Sequence, residues 1–326
     1  MFRSVAESLF AESQRTRLSA IADVVDWSPI RHFDAEDAAD LLARTDVLLT
    51  GWGVPLIDEA ALDAAPNLKA IVHAAGTIKG FVTDACWERG VRVTSAAAAN
   101  ARPVAEFTLA AIIMANKAGF LAQQRYRQHR SLPPWTEPLP TLGNRGRRVG
   151  IVGASRVGRG VIELLRPFEL EVVVADPLLG DEEATTLGVE LLELDDLLAS
   201  CDVVSLHAPL LPETVGLIDA RRIALMRDGA TFINTARGAI VDGDALEAEL
   251  STGRISAVID TTDPEPLPAS SLLYELANVF LTPHIAGSTG TELGRMADLA
   301  IDELERFAAG LSFQHEIKAE DVPWIA

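Results

Sequence analysis

The stretch "RRVGIVGASRVGRGVIELLRPF", residues 147–168, reads as a strand, "RRVGIV", a tight turn, and a helix, "VGRGVIELLRPF". In such a unit the glycines let an anionic group approach the backbone, and its charge rests on the N–H groups that open the helix. The usual spelling of a pyrophosphate turn is G-x-G-x-x-G, and here the three positions are Gly153, Ser155 and Gly158. An acid about 20 positions later is needed to bond the adenosine ribose. Asp176 lies 23 positions after Gly153 and ends the apolar run "EVVVAD". A carboxylate there repels a 2′-phosphate, and no Arg or Lys follows directly in "DPLLGDEE", so the cofactor expected is NAD rather than NADP. Gly153, Ser155, Arg156, Val157, Gly158 and Asp176 are its candidate ligands. Ser155 crowds the pyrophosphate more than a glycine would, but its hydroxyl has a proton to donate, and a hydrogen bond to a charged group is worth about 1.5–3 kcal/mol.

Working outward, further β-rich runs alternate with helix-like stretches: "DVVSLHAP" (202–209), "ATFINTA" (230–236), "ISAVID" (255–260) and "NVFLTPH" (278–284). Strands alternating with helices predict a parallel sheet covered on both faces, a doubly wound domain. The first hundred residues repeat the pattern more weakly, with "DVLLTG" (46–51), "LKAIVHAAG" (68–76) and "VRVTSA" (91–96) between Ala-rich segments. A second, smaller α/β domain is expected there, although the chain opens on helix-like sequence where such domains commonly begin with a strand. Leu293, Met296, Leu299, Ala300, Leu304 and Phe307 recur at amphipathic helical spacing, so 291–310 is expected as a helix that returns to the first domain. "AEFTLAAIIMANKAGFLAQQRYRQHR" reads as one long helix, followed by a Pro-rich connector. Six arginines fall between positions 125 and 148 with Glu137 the only acid; a solvated face, a subunit contact or a binding patch would each account for them.

A chain of 326 residues, 48% of them hydrophobic, exceeds what one core usually covers. Its formal net charge of −19 argues against nucleic acid or an anionic membrane as partner, and an anionic substrate needs a local cation. Cys86 and Cys201 show no paired spacing, so neither a disulfide framework nor a zinc motif is expected, and no metal. No apolar run reaches about 18 residues, and no basic stretch followed by an apolar core opens the chain. The expectation is a cytoplasmic protein with a small-molecule substrate.

In open α/β sheets, ligands bind beyond the carboxyl ends of the strands. Three successive strand ends carry reactive side chains: "ATFINTA" runs into Arg237, "ISAVID" ends at Asp260 and leads to Glu265, and "NVFLTPH" ends at His284. Taken singly, each has an ordinary explanation as a satisfied histidine, a surface arginine or a turn acid. Their recurrence at one sheet edge suits hydride transfer to a small 2-oxo acid. A guanidinium grips a carboxylate in a planar fork, an imidazole delivers a proton to the carbonyl oxygen, and a carboxylate bonded to an imidazole favours its protonated form.

At this point the chain resembles the D-isomer-specific 2-hydroxyacid dehydrogenase family, from about residue 46 to about 315. The motifs are "NARPVAEFTLA" (100–110), "SLHAPLLPETVGLI" (205–218), "INTARGAIVD" (233–242), "IDTTDPEPLP" (259–268) and "LTPHIAGST" (281–289). The resemblance implies that Arg237 binds the substrate carboxylate, Glu265 partners the histidine and His284 is the proton donor. It implies that Asp260 holds the nicotinamide carboxamide, and that Thr214, Thr235, Gly287 and the backbone around His207 and Pro209 line the cofactor cleft. The fold it implies is α/β, with two doubly wound domains: a Rossmann-type cofactor domain (116–289) inserted into a smaller, discontinuous flavodoxin-like substrate domain (1–115 and 290–326). Members are commonly homodimers joined through the cofactor domain, which would bring the arginine-rich connector near the partner.

In "HAAGTIKGF" (73–81) the backbone N–H groups of Ala74, Ala75 and Gly76 would meet the substrate carboxylate. The Gly-x-Asp that commonly follows is replaced by Thr77-Ile78-Lys79, so the substrate's identity does not carry over. Trp52 and Trp135 are candidate pocket walls, with packed aromatics as the alternative. Formate enzymes of this superfamily pair their histidine with Gln, and Glu265 argues against formate. A phosphite-type dehydrogenase and a non-catalytic, NAD(H)-sensing corepressor-like protein remain as alternatives.

Overall fold

The computed structural model of the protein describes residues 1–131 and 142–324; Trp135 lies outside them. In chain order the strands are β1 (Val47–Thr50), β2 (Ala70–His73), β3 (Arg92–Ser95), β4 (Arg148–Val152), β5 (Glu171–Ala175), β6 (Glu190–Leu191), β7 (Val203–Leu206), β8 (Thr231–Asn234), β9 (Ser256–Ile259), β10 (Val279–Leu281) and β11 (Glu316–Ile317). The chain divides into two compact units, one of residues 1–100 with 288–326, the other of residues 101–287 inserted between those two pieces.

The inserted unit is built on a seven-stranded sheet in the order β10-β9-β8-β7-β4-β5-β6, with every pair parallel. The winding runs outward from β4 through β5 to β6, then restarts at β7 and proceeds the other way. The topological switch point therefore lies between β4 and β7. Adjacent strand residues face opposite layers: Val174, Val203, Ile233 and Val258 join one apolar cluster with Val161, Ile162 and Leu165. Their neighbours Val173, Val204, Phe232 and Ala257 join another with Leu197, Ile223 and Leu246. Both faces are dry, which is why these strands read as continuous apolar runs.

The expected long helix is two: Ala97–Asn116, and Gly119–His129 after Ala118 in the left-handed conformation (φ 48°). They are bent by 57°, and no single described helix is long and apolar enough to cross a membrane. Ala105, Ala111, Ile112 and Ala115 of the first helix pack into the cluster around Val161. The unit boundary consequently falls at 100/101, where the sequence reading put it at 115/116, and the second boundary falls at 287/288.

The other unit carries a four-stranded sheet, β1-β2-β3-β11, with β1 to β3 parallel and β11 antiparallel to β3. It is also covered on both faces. Leu9, Phe10, Leu18 and Met296 lie over Ala70 and Val72, and Ile57, Leu62 and Cys86 lie over Ile71 and Val93. The chain opens on helices Arg3–Leu9 and Glu12–Ile21, with no described strand before β1. Without that strand the order is sequential rather than the 2-1-3-4-5 of flavodoxin-like sheets. Helix Leu293–Ala308 buries Met296, Ala297, Ala300, Ile301 and Leu304 in this unit. The buried Glu303 carboxylate accepts the Gln314 and His315 amides at 3.0 and 3.2 Å, turning the chain into β11.

Candidate active site

The turn after β4 is shaped by its first and last glycines. Gly153 has φ +97°, and a Cβ on it would lie 2.6 Å from the Ala208 nitrogen, in the turn after β7. A Cβ on Gly158 would meet the Gly153 carbonyl oxygen at 2.1 Å. Ser155, in contrast, has φ −61° and caps the ten-residue helix Arg156–Leu165, its Oγ accepting the Gly158 N–H at 3.3 Å. The sequence therefore departs from the usual spelling at the one position where this backbone has no need of glycine. The Ser155 hydroxyl keeps its own proton to donate. Asp176, directly after β5, accepts the Ala154 N–H through Oδ2 at 2.6 Å and the Leu178 N–H through Oδ1 at 2.8 Å. Arg156 is exposed and Val157 packs toward the core. A cradle that side chains would fill, a helix N-terminus and a half-exposed acid at the next strand end fit an adenine dinucleotide.

His207 is 4% exposed and its Nε2 lies 2.8 Å from Ser205 Oγ. Burial pushes its pKa down to about 3, so it is neutral near pH 7. The Thr214 hydroxyl donates to the Pro209 carbonyl at 2.6 Å and accepts the Leu211 N–H at 2.8 Å, folding the loop after β7. Thr235 Oγ1 lies 3.0 Å from that of Thr108, and both are buried.

Arg237 follows β8. Asn234, 2% exposed, shapes its turn by accepting the Ala236 N–H at 3.0 Å and donating to the Arg237 carbonyl at 3.2 Å. Gly238 brings this turn against the one after β9: a Cβ there would lie 2.0 Å from the Thr262 carbonyl carbon. The Arg237 Nη1 donates to the Ala236 carbonyl at 2.6 Å, and no carboxylate among the described residues forms an ion pair with the guanidinium. Burial lowers its pKa and the charge of Glu265 acts the other way; an arginine remains cationic regardless.

His284 has φ +55°, an uncommon conformation for a non-glycine residue. Its Nδ1 lies 2.8 Å from Glu265 Oε1, and among the described residues nothing bonds its Nε2. Asp260, 2% exposed, holds the turn: its backbone carbonyl accepts the His284 N–H at 2.9 Å. Its carboxylate accepts the Thr282 hydroxyl, the Ile285 N–H and the Ala286 N–H at 2.7, 2.8 and 2.9 Å. Half-buried Gly287 follows. Asp260, Glu265, Thr282 and His284 line a cavity of about 640 Å³ whose other walls include Leu267 and Leu273.

In the smaller unit, Ala74 and Ala75 are buried directly after β2. The Ala74 N–H donates to the Thr50 carbonyl at 2.8 Å, a correction to the sequence reading. Of the three amides expected to meet a carboxylate, only those of Ala75 and Gly76 have no described partner. Ile78 is fully buried among Ile57, Ile71 and Phe81, so the altered loop is pinned by a core residue. Trp52 is 39% exposed and its carbonyl accepts the Phe2 N–H at 3.0 Å. No group of three or more His, Cys, Asp or Glu suited to a metal occurs among the described residues.

The catalytic candidates Arg237, Glu265 and His284, with the cofactor candidate Asp260, thus lie at the ends of β8, β9 and β10 and in the turns that follow them, in one unit. Sequence reading missed Thr282, Ser205 and Thr108, which carry no charge and bond the side chains of Asp260, His207 and Thr235, and Asn234 and Gly238, which shape backbone turns.

Known proteins share the family pattern and the fold of this chain. Residues 109–286 match the family model described as D-isomer specific 2-hydroxyacid dehydrogenase, NAD binding domain. A glyoxylate reductase of Thermofilum pendens is 34% identical over 305 residues, covering 91% of this chain and 88% of its own. A D-3-phosphoglycerate dehydrogenase of Mycobacterium tuberculosis is 36% identical over 297 residues, 87% of this chain but 55% of the relative; the chain spans about half the length of the first curated relatives it matches. Among solved structures, a D-lactate dehydrogenase of Treponema pallidum superposes with TM-score 0.76 at 26% identity, covering 94% of this chain and 97% of that one. D-mandelate dehydrogenase of Rhodotorula graminis, at TM-score 0.80 and 23% identity over 94% of both chains, shares the fold. With an NAD-binding domain matched over more than half its length, the chain belongs to the D-isomer specific 2-hydroxyacid dehydrogenase family.

Proposed function

We propose that the protein interconverts a D-2-hydroxy acid and its 2-oxo acid, with His284 as the acid and base, Glu265 as its partner and Arg237 as the carboxylate ligand. The observation that carries this reading is the pairing of His284 Nδ1 with Glu265 at 2.8 Å, which leaves Nε2 to exchange a proton with the substrate oxygen. Bound NAD supplies the hydride acceptor or donor. In the reducing direction the imidazolium gives its Nε2 proton to the carbonyl oxygen while Glu265 steadies the ring. In the oxidising direction the neutral ring takes that proton back. Arg237 offers two parallel N–H donors to a planar carboxylate, and with no ion-pair partner among the described residues its charge is free for that use. With NAD bound, Asp260 would accept an N–H of the nicotinamide carboxamide, and Ser155 would donate to a phosphate oxygen.

Relatives named glyoxylate reductase, D-lactate dehydrogenase and D-3-phosphoglycerate dehydrogenase support a small 2-hydroxy acid as the substrate class. The test is a panel of 2-oxo acids, from glyoxylate and pyruvate to hydroxypyruvate and bulkier phenyl and branched analogues, followed by NADH and NADPH absorbance. Oxidation of NADH by at least one of them is expected. Lack of turnover across the panel, together with NADH-dependent binding of another protein, would favour a sensing role.

A further inference from the structure

We infer that Thr282 is a positioning residue for the proton-transfer step, acting on His284 through the buried carboxylate of Asp260; the inference rests on the assignment of His284 as acid and base. The backbone of Thr282 prolongs the β9–β10 ladder, its N–H donating to the Ile259 carbonyl at 2.9 Å. Its side chain turns to Asp260, and the hydroxyl donates to Oδ1 at 2.7 Å. The same carboxylate accepts the amides of Ile285 and Ala286, at 2.8 and 2.9 Å. These two residues immediately follow His284, which is held at φ +55°. The carboxylate thus closes a loop around the histidine, and Thr282 is the only side-chain donor in that loop among the described residues.

Two carboxylate oxygens offer about four acceptor sites. Oδ1 takes two of the three donors and Oδ2 takes one, which leaves a site on Oδ2 for a further donor such as a carboxamide. With the Thr282 hydroxyl removed, a buried carboxylate loses a charge-assisted bond and is free to rotate away from the two amides. The left-handed turn then loosens, and the imidazole leaves its alignment with Glu265. A displacement of about 1 Å at such a group costs on the order of 100-fold in rate.

Thr282 lines the cavity of about 640 Å³, so a smaller residue lets water stand in for the hydroxyl. The near-isosteric Thr282→Val is the sharp test. It should lower kcat between about 10- and 100-fold while leaving KM for the 2-oxo acid within about twofold, with Thr282→Ser restoring kcat and Thr282→Ala in between. In the full chain without cofactor, hydrogen exchange at the Ile285 and Ala286 amides should quicken in Thr282→Val and remain unchanged in strands β4 to β8. Should Thr282→Val not fold, the order of Ser above Ala decides. Wild-type kcat in Thr282→Val, or in Thr282→Ala if that is the variant available, with His284→Ala inactive, overturns the inference. Activity retained by His284→Ala overturns the underlying assignment instead, and the exchange measurement separates the two.

Discussion

His284 Nδ1 lies 2.8 Å from Oε1 of Glu265, 19 positions earlier in the chain and in the turn after the neighbouring strand β9. The contact joins two turns that each depend on other residues, since Gly238 lets the turn after β8 abut Thr262 and Asp260 ties down the turn after β10. Replacing Glu265 by Gln keeps a bonding group and removes the charge. The expected result is a kcat reduced by about 10² with little change in KM, read from steady-state kinetics; an unchanged kcat removes Glu265 from the mechanism.

Arg237→Lys keeps the charge and loses the planar fork. KM for the 2-oxo acid should rise at least about tenfold, the scale of one charged hydrogen bond, while NADH affinity measured by fluorescence stays within about twofold. An unaffected KM assigns the substrate carboxylate to another group.

Ser155→Ala should weaken NADH binding more than Ser155→Gly does, by about tenfold, because alanine retains the side chain's bulk and loses both the donor and the cap seen at Gly158. Isothermal titration of the two variants gives the order directly, and the reverse order rules out Ser155 as a phosphate ligand.

His207 carries a stability prediction. Its pKa falls from the ordinary 6.5 to about 3 in the folded protein. Between these values the unfolded chain binds a proton that the folded one does not, so stability falls as pH falls through that window, by up to about 1.4 kcal/mol per pH unit. Urea unfolding at pH 7 and pH 5 should show His207→Gln losing about 2 kcal/mol less than the wild type over that interval. Equal losses would mean that His207 is not buried as a neutral ring.

The cofactor fold was legible because its signals are local. Runs such as "EVVVAD" are apolar without alternation, a pattern that a strand buried on both faces permits, and Gly153 and Gly158 stand where neighbouring backbones touch. The catalytic candidates Arg237 and His284 and the cofactor candidate Asp260 were legible because they follow successive β-rich runs whose ends share one edge of the sheet. Other features depend on tertiary context. Nothing near "LTPH" marks the Thr282 hydroxyl as a partner of Asp260, 22 positions away. Nothing in "HAAG" says that the Ala74 amide is taken by Thr50. The boundary at 100/101 follows from where Ala105 and Ile112 are buried, which a helical pattern alone does not tell. The two-residue strands β6 and β11 are too short to leave any periodicity.

The most direct test of the account is the pair of measurements on His284→Ala: turnover of the best 2-oxo acid, and NADH affinity. The account predicts turnover reduced by at least about 10² with NADH affinity within about twofold of wild type. Turnover at the wild-type level, on that acid and across the rest of the panel, would contradict it.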